Sequence, residues 1–228
     1  MHADETTLCI PVADAEVDGI VSRPENASAL LVLAHGAGAD MRHHGMVALA
    51  STLAAHGVAS LRYQFPYRQA GRGRPDRPPT LVACVRAAVD AAHRLETGLP
   101  LFAGGRSMGG RMTSTAQAEE PLEGVDGLIF FAFPLHPAGK PGTDRAAHLA
   151  KVEVPMLFLQ GTRDRLADRG LVAEALEPLQ PATVHWLEGA DHGFGVLKRS
   201  GRTPEDVLAE VGASVSRWIT RSLRRRRA

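Results

Sequence analysis

Short apolar runs alternate with segments of helical periodicity along most of this chain. Apolar runs bounded by turn residues favour buried strands, whereas apolar residues that recur every three or four positions favour amphipathic helices. After an opening hairpin at residues 8–21, strands are predicted at 29–34, 59–65, 99–103, 127–133, 156–160 and 183–187. Helices are predicted at 46–56, 80–96, 110–119, 144–150, 168–179 and from Thr203 towards the end of the chain.

This alternation indicates βαβ units, which build a mostly parallel sheet with helices on both faces. We therefore predict an α/β fold with residues 1–228 as a single domain, since α/β chains of this length commonly do not split. The connection at 134–153 is about twenty residues long, which suffices for one short helix. We expect no cap domain and an open site.

Composition and charge argue against several classes of partner. Apolar residues make up 44% of the chain, charged residues make up 22%, and the formal net charge of +1 gives no reason to expect nucleic acid. No segment approaches the roughly 20 apolar residues of a membrane helix. The basic tail at 221–228 favours a solvated helix end, with an anionic partner or a lipid surface as the alternative.

Cysteine usage and the first residues bear on the cellular compartment. Cys9 and Cys84 are the only cysteines, too few for a disulfide framework. The chain begins without a basic region followed by an apolar stretch, which a secretory signal would show. We therefore expect a cytoplasmic protein.

A serine stands between glycines where a predicted strand gives way to a predicted helix. The residues at 105–109 read Gly-Arg-Ser-Met-Gly, a G-x-S-x-G pattern, with the apolar run 99–103 before it and the helix 110–119 after it. A sharp strand-to-helix turn exposes the serine hydroxyl, and the flanking glycines are needed because the turn tolerates little bulk. Ser107 is therefore predicted to be a nucleophile.

An acid and a histidine follow later strands. Asp164 comes just after the run 154–160, and His192 lies on the loop after 183–187. The chain order Ser, Asp, His is the order of α/β-hydrolases, and all three residues fall at carboxyl ends of strands, where open α/β sheets bind ligands. Asp168 and Asp191 are the alternatives for the acid. Asp168 has the position of a helix N-cap, and Asp191 is the immediate neighbour of His192, so Asp164 is preferred.

The loop after the run 29–34 begins His35-Gly36. A turn of this kind supplies one backbone N–H to an oxyanion hole, and the residue after the nucleophile supplies the other. We predict the backbone N–H groups of Ala37 and Met108 as these donors. His35 itself is expected to hold the loop by hydrogen bonding rather than to act as an acid or base.

Other side chains near predicted strand ends are candidates for a substrate pocket. Arg106 and Arg111 could recognise a carboxylate or phosphate, although structural ion pairs are the favoured interpretation of both. The predicted pocket residues are His35, Gly36, Tyr67, Arg68, Arg106 and His136.

Neither a metal nor a cofactor is predicted. His43 and His44 resemble a metal-binding pair but lack a third ligand at suitable spacing, so they are interpreted as exposed histidines. The glycines at 104–110 are followed by no Gly-Lys-Ser/Thr and form no G-x-G-x-x-G, which argues against nucleotide binding.

With these residues in place, the chain resembles the small, lidless α/β-hydrolases of the dienelactone-hydrolase-like group. More narrowly, it resembles the family of the NSL-complex subunit three and the testis-expressed hydrolase-like proteins. The segments that carry this resemblance lie at 35–40, 55–62, 104–109, 133–136 and 185–192. The resemblance implies the α/β-hydrolase fold and the triad. Dienelactone hydrolases proper use a cysteine nucleophile, so Ser107 argues against dienelactone as the substrate.

The sequence thus predicts a serine hydrolase of carboxylesterase type that cleaves a small ester or thioester through an acyl-enzyme on Ser107. Two alternatives remain open. One is a non-catalytic interaction module on the same fold, and the other is an acyltransferase that uses the same triad. The physiological substrate, the acyl chain length and the oligomeric state do not follow from the sequence.

Overall fold

Eight strands form one sheet across residues 4–179 and 181–227, the part of the chain that the computed structural model describes. The strands are β1 (Asp4–Val12), β2 (Ala15–Arg23), β3 (Ala29–Ala34), β4 (Val58–Tyr63), β5 (Leu101–Arg106), β6 (Val125–Phe131), β7 (Met156–Gly161) and β8 (Ala182–Leu187).

The strand order across the sheet is β1-β2-β4-β3-β5-β6-β7-β8. Strand β2 pairs antiparallel with β1 and with β4, and every other neighbouring pair is parallel. The predicted mostly parallel sheet is confirmed. Because β3 to β8 run in one direction, the loops that follow them all emerge at the same edge of the sheet.

Helices cover both faces of this sheet. They are α1 (His44–Ala55), α2 (Pro66–Gln69), α3 (Pro78–Arg94), α4 (Met108–Glu119), α5 (Arg169–Leu176) and α6 (Pro204–Arg227). Helices α1 and α6 contribute to one apolar core, whereas α3, α4 and α5 contribute to the other. Short 3₁₀ helices lie at Asp144–Lys151 and Lys198–Ser200. The segment between β6 and β7 thus holds one short helix and no cap domain.

Strand β3 shows why the sheet lies at the centre. All of its residues are buried, with Leu31 and Leu33 in the core beneath α1 and α6, and Leu30 and Val32 in the other core. Side chains of a strand alternate between faces, so a continuous apolar run is what a strand buried on both sides requires.

Element types agree with the prediction, while several bounds differ. Strand β5 ends at Arg106 rather than at 103, helix α5 ends at Leu176 rather than at 179, and α2 had no counterpart in the prediction. The predicted strand ended before Gly104 and Gly105, but both glycines belong to β5. At Gly104 a Cβ would overlap the backbone carbonyl of Ile129 on β6, so only glycine permits this close pairing.

The basic tail continues α6 as far as Arg227. Arg224 and Arg225 are exposed, and Arg226 pairs with Asp126 of β6. Residue 228 of this tail and residues 1–3 lie outside the described residues. None of the helices at residues 4–179 and 181–227 combines the length and the apolar character that crossing a membrane would require.

Candidate active site

Ser107 occupies a strained turn between β5 and α4. Its backbone has φ 51° and ψ −118°, a conformation that costs energy for a residue with a side chain. Both flanking glycines are required by space, because a Cβ at Gly105 or at Gly109 would lie 2.6 Å from the carbonyl oxygen of Ala34. The turn therefore projects Ser107 from the end of β5, and glycine at both flanking positions permits it.

The predicted histidine and acid meet this serine through hydrogen bonds. His192 Nε2 lies 2.9 Å from Ser107 Oγ, and His192 Nδ1 lies 2.7 Å from Asp164 Oδ2. With the Nδ1–H group donating to the carboxylate, Nε2 is left to accept from the serine hydroxyl. Three side chains that are distant in sequence thus form one hydrogen-bonded chain.

Hydrogen bonds from other residues also hold the Asp164 carboxylate in place. Its side chain is fully buried, while the His192 side chain is 29% exposed. Gln160 Nε2 donates to Asp164 Oδ2 at 2.7 Å, and the Leu166 N–H donates to Asp164 Oδ1 at 2.8 Å. Each carboxylate oxygen therefore has a protein donor, which compensates for its burial.

The two alternative acids make other contacts. Asp168 Oδ1 accepts from the N–H groups of Gly170 and Leu171 at 2.9 and 3.1 Å, which makes it the N-cap of α5. Asp191 Oδ1 accepts from the N–H groups of Gly193 and Gly195 within its own loop. Of the three acids, Asp164 is the one that bonds to His192.

The loop after β3 brings a second set of groups to Ser107. A Cβ at Gly36 would lie 3.7 Å from the Cβ of Ser107, so this loop passes directly beside the serine. Across the described residues, the N–H groups of Ala37 and Met108 donate to no protein acceptor. For Met108 this follows from its position as the first residue of α4, where N–H groups have no intrahelical partner.

A cavity of about 390 Å³ opens at Ser107 and His192. Glycine and alanine form much of its wall, and the larger side chains are those of three histidines, His192 included, and one arginine. The remaining lining residues are Gly36, Ala37, Gly38, Ala39, His43, His44, Gly45, Arg106 and Gly193.

The predicted pocket residues divide into two groups. Gly36 and Arg106 line this cavity, but His35, Tyr67, Arg68 and His136 do not. His35 is buried beneath the loop, and Tyr67 is buried with its hydroxyl donating to Ala37 O at 2.7 Å.

Arg68 and His136 are held elsewhere by other contacts. Arg68 lies 3.7 Å from a carboxylate oxygen of Asp40. His136 is buried, and its Nε2 accepts from the Asp168 N–H at 3.1 Å. Their contacts orient both side chains towards supporting positions instead of the cavity.

Arg106 links the serine turn to the histidine loop. Its Nη2 donates to the carbonyl oxygen of His192 at 3.3 Å, and its guanidinium lies 5.0 Å from the ring centroid of Phe194. Burial lowers the pKa of Arg106. Across the described residues, no carboxylate lies within 4.0 Å of Arg106 or Arg111, so the ion pairs expected for these two arginines are not formed.

His43 and His44 line the cavity, a location that sequence reasoning missed. Both are exposed, as predicted, and their ring centroids lie 4.2 Å apart. His43 Nδ1 accepts from the Gly45 N–H at 3.1 Å and so caps α1. Their position in the sequence, between the His35-Gly36 turn and the body of α1, could have indicated that they lie near the site. Across the described residues, no group of three or more potential ligands could hold a metal ion.

Comparison with known proteins supports the fold. Residues 27–220 match the family model described as an alpha/beta hydrolase domain. A dienelactone hydrolase from Anabaena variabilis is 22% identical and covers 97% of this chain and 99% of its own, with a TM-score of 0.74. A lidless α/β serine hydrolase from Xanthomonas campestris is also 22% identical and covers 94% and 95%, with a TM-score of 0.73.

An α/β serine hydrolase homologue from Coxiella burnetii is similar at 20% identity, with 93% and 96% of the two chains covered and a TM-score of 0.73. These likenesses extend over nearly the whole chain and agree on an eight-stranded, mostly parallel sheet without a cap. The family match covers most of the sequence. The chain belongs to the alpha/beta hydrolase domain family.

Proposed function

We propose that this protein is a serine hydrolase that cleaves a small ester or thioester through an acyl-enzyme on Ser107. One observation carries the proposal. The hydrogen-bonded chain from Ser107 Oγ through His192 to Asp164 ends at a cavity, next to the N–H groups of Ala37 and Met108, which have no protein acceptor among residues 4–179 and 181–227. Such an arrangement supplies a nucleophile, a base and an electrostatic stabiliser together.

The acylation step follows from these positions. Ser107 Oγ attacks the acyl carbon while its proton moves to His192 Nε2, and Asp164 stabilises the imidazolium that forms. The N–H groups of Ala37 and Met108 donate to the developing oxyanion. When the tetrahedral intermediate collapses, His192 returns the proton to the leaving alcohol or thiol, and the acyl group stays on Ser107.

Deacylation repeats these steps with water as the nucleophile and Ser107 as the leaving group. His192 takes a proton from the water as the hydroxide attacks the acyl-enzyme, and the carboxylic acid leaves as Ser107 regains its proton. The partial exposure of His192 gives water access to this position. An acceptor alcohol in place of water would make the enzyme an acyltransferase.

The cavity suggests the size of the substrate. Its volume of about 390 Å³ is at the lower end for small-molecule sites. Glycines and alanines line it, and no long apolar side chain provides a channel for an extended acyl chain. These features favour a short acyl group.

Two finer expectations belong to the same proposal. The sequence resemblance at 104–109 and 133–136 supports a narrower kinship with the family of the NSL-complex subunit three and the testis-expressed hydrolase-like proteins. Cys9 and Cys84 are both free thiols, which suits the reducing cytoplasm.

A fluorophosphonate probe tests the proposal directly, because it labels only a serine activated as a nucleophile. Labelling and hydrolysis of short p-nitrophenyl esters are expected in the wild type and lost in Ser107→Ala. Ser114→Ala is the matched control, since Ser114 Oγ also lies within hydrogen-bond distance of a histidine, 2.7 Å from His148 Nε2. A wild type that does not label, together with no effect of Ser107→Ala on a panel of p-nitrophenyl esters, would support a non-catalytic module.

A further inference from the structure

His35 is fully buried beneath the loop that carries Gly36 and Ala37. Its Nε2 lies 3.1 Å from the backbone nitrogen of Phe65, and its Nδ1 lies 2.8 Å from the carbonyl oxygen of Gly36. A backbone N–H can only donate and a carbonyl oxygen can only accept. The two contacts together therefore require a neutral ring with its proton on Nδ1.

Burial favours the same neutral state. It lowers the pKa of His35 to about 4, against the opposing influence of the Gly36 hydrogen bond and of Asp40. At neutral pH the ring therefore holds one proton, and the two backbone partners determine which nitrogen carries it.

The hydrogen bond from His35 to the Gly36 carbonyl also fixes the orientation of the peptide group between Gly36 and Ala37. The Gly36 carbonyl and the Ala37 N–H belong to one planar peptide group and point in opposite directions. A hydrogen bond that fixes the carbonyl oxygen also fixes the direction of the N–H on the other side. The Ala39 N–H donates to the same oxygen at 3.1 Å, which adds to the restraint.

The following peptide is held by a different side chain. The Tyr67 hydroxyl donates to Ala37 O at 2.7 Å, and this carbonyl belongs to the peptide between Ala37 and Gly38. The two peptides on either side of the Ala37 Cα thus have separate restraints, His35 for the first and Tyr67 for the second. Only the first contains the Ala37 N–H, which the proposed function assigns to the oxyanion.

We propose that His35 is a positioning residue that aims the Ala37 N–H at the oxyanion by holding the Gly36 carbonyl through its Nδ1–H group. This inference rests on the proposed function, because it assigns a role within the same reaction. The histidine would contact no substrate atom, and its effect would pass through one peptide plane.

Two substitutions separate the two hydrogen bonds of His35. In His35→Asn, the amide nitrogen takes the position of Nδ1 and keeps a donor to Gly36 O. In His35→Gln, the amide oxygen takes the position of Nε2 and keeps an acceptor for the Phe65 N–H but loses the donor. We expect His35→Gln to lower kcat about 10²-fold with little change in KM, and His35→Asn to retain at least about ten times the kcat of His35→Gln.

Controls distinguish aiming from mere support of the fold. Thermal unfolding of both variants measures their stability, and Tyr67→Phe, which releases the neighbouring peptide, should lower kcat less than His35→Gln. Equal kcat losses in the two His35 variants would overturn the proposal. So would a long-range ¹⁵N–¹H correlation spectrum of the wild type that places the His35 proton on Nε2.

Failure of the proposed function would look different. In that case the wild type itself would neither react with the fluorophosphonate probe nor hydrolyse esters, before any variant of His35 is made. The tautomer measurement does not depend on turnover, so it tests the geometry of His35 in either case. A proton on Nδ1 together with a displaced Ala37 amide resonance in His35→Gln would support the positioning role.

Discussion

Two serine–histidine pairs lie near α4, and only one has the features of an active site. In the Ser107 pair, Oγ lies 2.9 Å from His192 Nε2, and in the Ser114 pair, Oγ lies 2.7 Å from His148 Nε2. The shorter contact belongs to the pair whose serine is fully buried within α4, whereas Ser107 lines the cavity. Distance between a serine and a histidine is therefore a poor guide to catalysis.

The direction of the hydrogen bond separates the pairs. The Ser114 hydroxyl also lies 2.9 Å from the carbonyl oxygen of Arg111, which can only accept. Both contacts are satisfied together when Ser114 donates to that carbonyl and His148 Nε2–H donates to Ser114. His148 is then a donor and not a base. In the Ser107 pair, Asp164 draws the proton to Nδ1 and leaves His192 Nε2 free to accept.

The charged side chains next to the two histidines also differ: His148 lies near an arginine, and His192 lies next to an aspartate. Burial and the positive charge of Arg111 lower the pKa of His148 to about 4. His192 instead faces the carboxylate of Asp164. A carboxylate behind the ring is thus what turns a serine–histidine contact into a nucleophile and its base.

The largest expected effect comes from removing that carboxylate. Asp164→Asn keeps the side-chain shape but makes the Ser107 pair resemble the Ser114 pair, because the histidine loses the acceptor that fixes its tautomer. We expect kcat for p-nitrophenyl esters to fall about 10⁴-fold.

Asp168→Asn is the matched control for this substitution. Asparagine is also a good N-cap, so α5 should be preserved and kcat should change less than about twofold. Comparable losses in Asp164→Asn and Asp168→Asn would contradict the assignment of the acid.

The arginine beside each pair offers a smaller contrast. Arg106 lines the cavity and has no carboxylate within 4.0 Å in the described part of the chain, whereas the carbonyl oxygen of Arg111 accepts from Ser114. An anionic acyl group should gain a charge-assisted hydrogen bond from Arg106. We predict that Arg106→Met lowers the ratio of kcat/KM for a hemisuccinate ester over a valerate ester about tenfold.

Use of this ratio cancels the general loss expected when Arg106 releases the His192 carbonyl. In Arg111→Met the ratio should stay at its wild-type value, because that side chain does not line the cavity. An unchanged ratio in both variants would show that Arg106 has no part in recognising charge.

The last expected effect concerns stability and not catalysis. His35 and His148 have pKa values of about 4 in the folded protein, below the ordinary value of 6.5. Between these values the unfolded chain binds protons that the folded protein does not. The free energy of unfolding should therefore decrease as the pH falls from about 6.5 to about 4, by up to about 1.4 kcal/mol per pH unit for each histidine.

His148→Gln isolates one of these contributions, since its amide N–H can still donate to Ser114. The charged groups that act on the two rings are Arg111 for His148, and Asp40 and Arg68 for His35, and the substitution leaves them in place. Urea unfolding between pH about 4.5 and about 7 should show a shallower pH dependence in the variant. A pH dependence equal to that of the wild type would argue against a depressed pKa at His148.

Local patterns in the sequence determined much of this fold and of the candidate site. The strained turn at Ser107 needs glycine on both sides, so the five residues 105–109 are enough to indicate the turn. Asp164 and His192 were found because parallel strands deliver the loops at their carboxyl ends to one edge of the sheet. Such inferences depend on contacts that are near in sequence or on a rule shared by all strands of a sheet.

Tertiary structure alone decided which side chains face the cavity and which hydrogen-bond partners each histidine ring has. His136 follows a strand end as His192 does, yet its ring turns to the Asp168 N–H, while His43 and His44 reach the cavity from a helix start. These outcomes depend on partners many positions away in the sequence. The direction of a buried ring follows from the donors and acceptors that folding brings around it, and no local pattern specifies them.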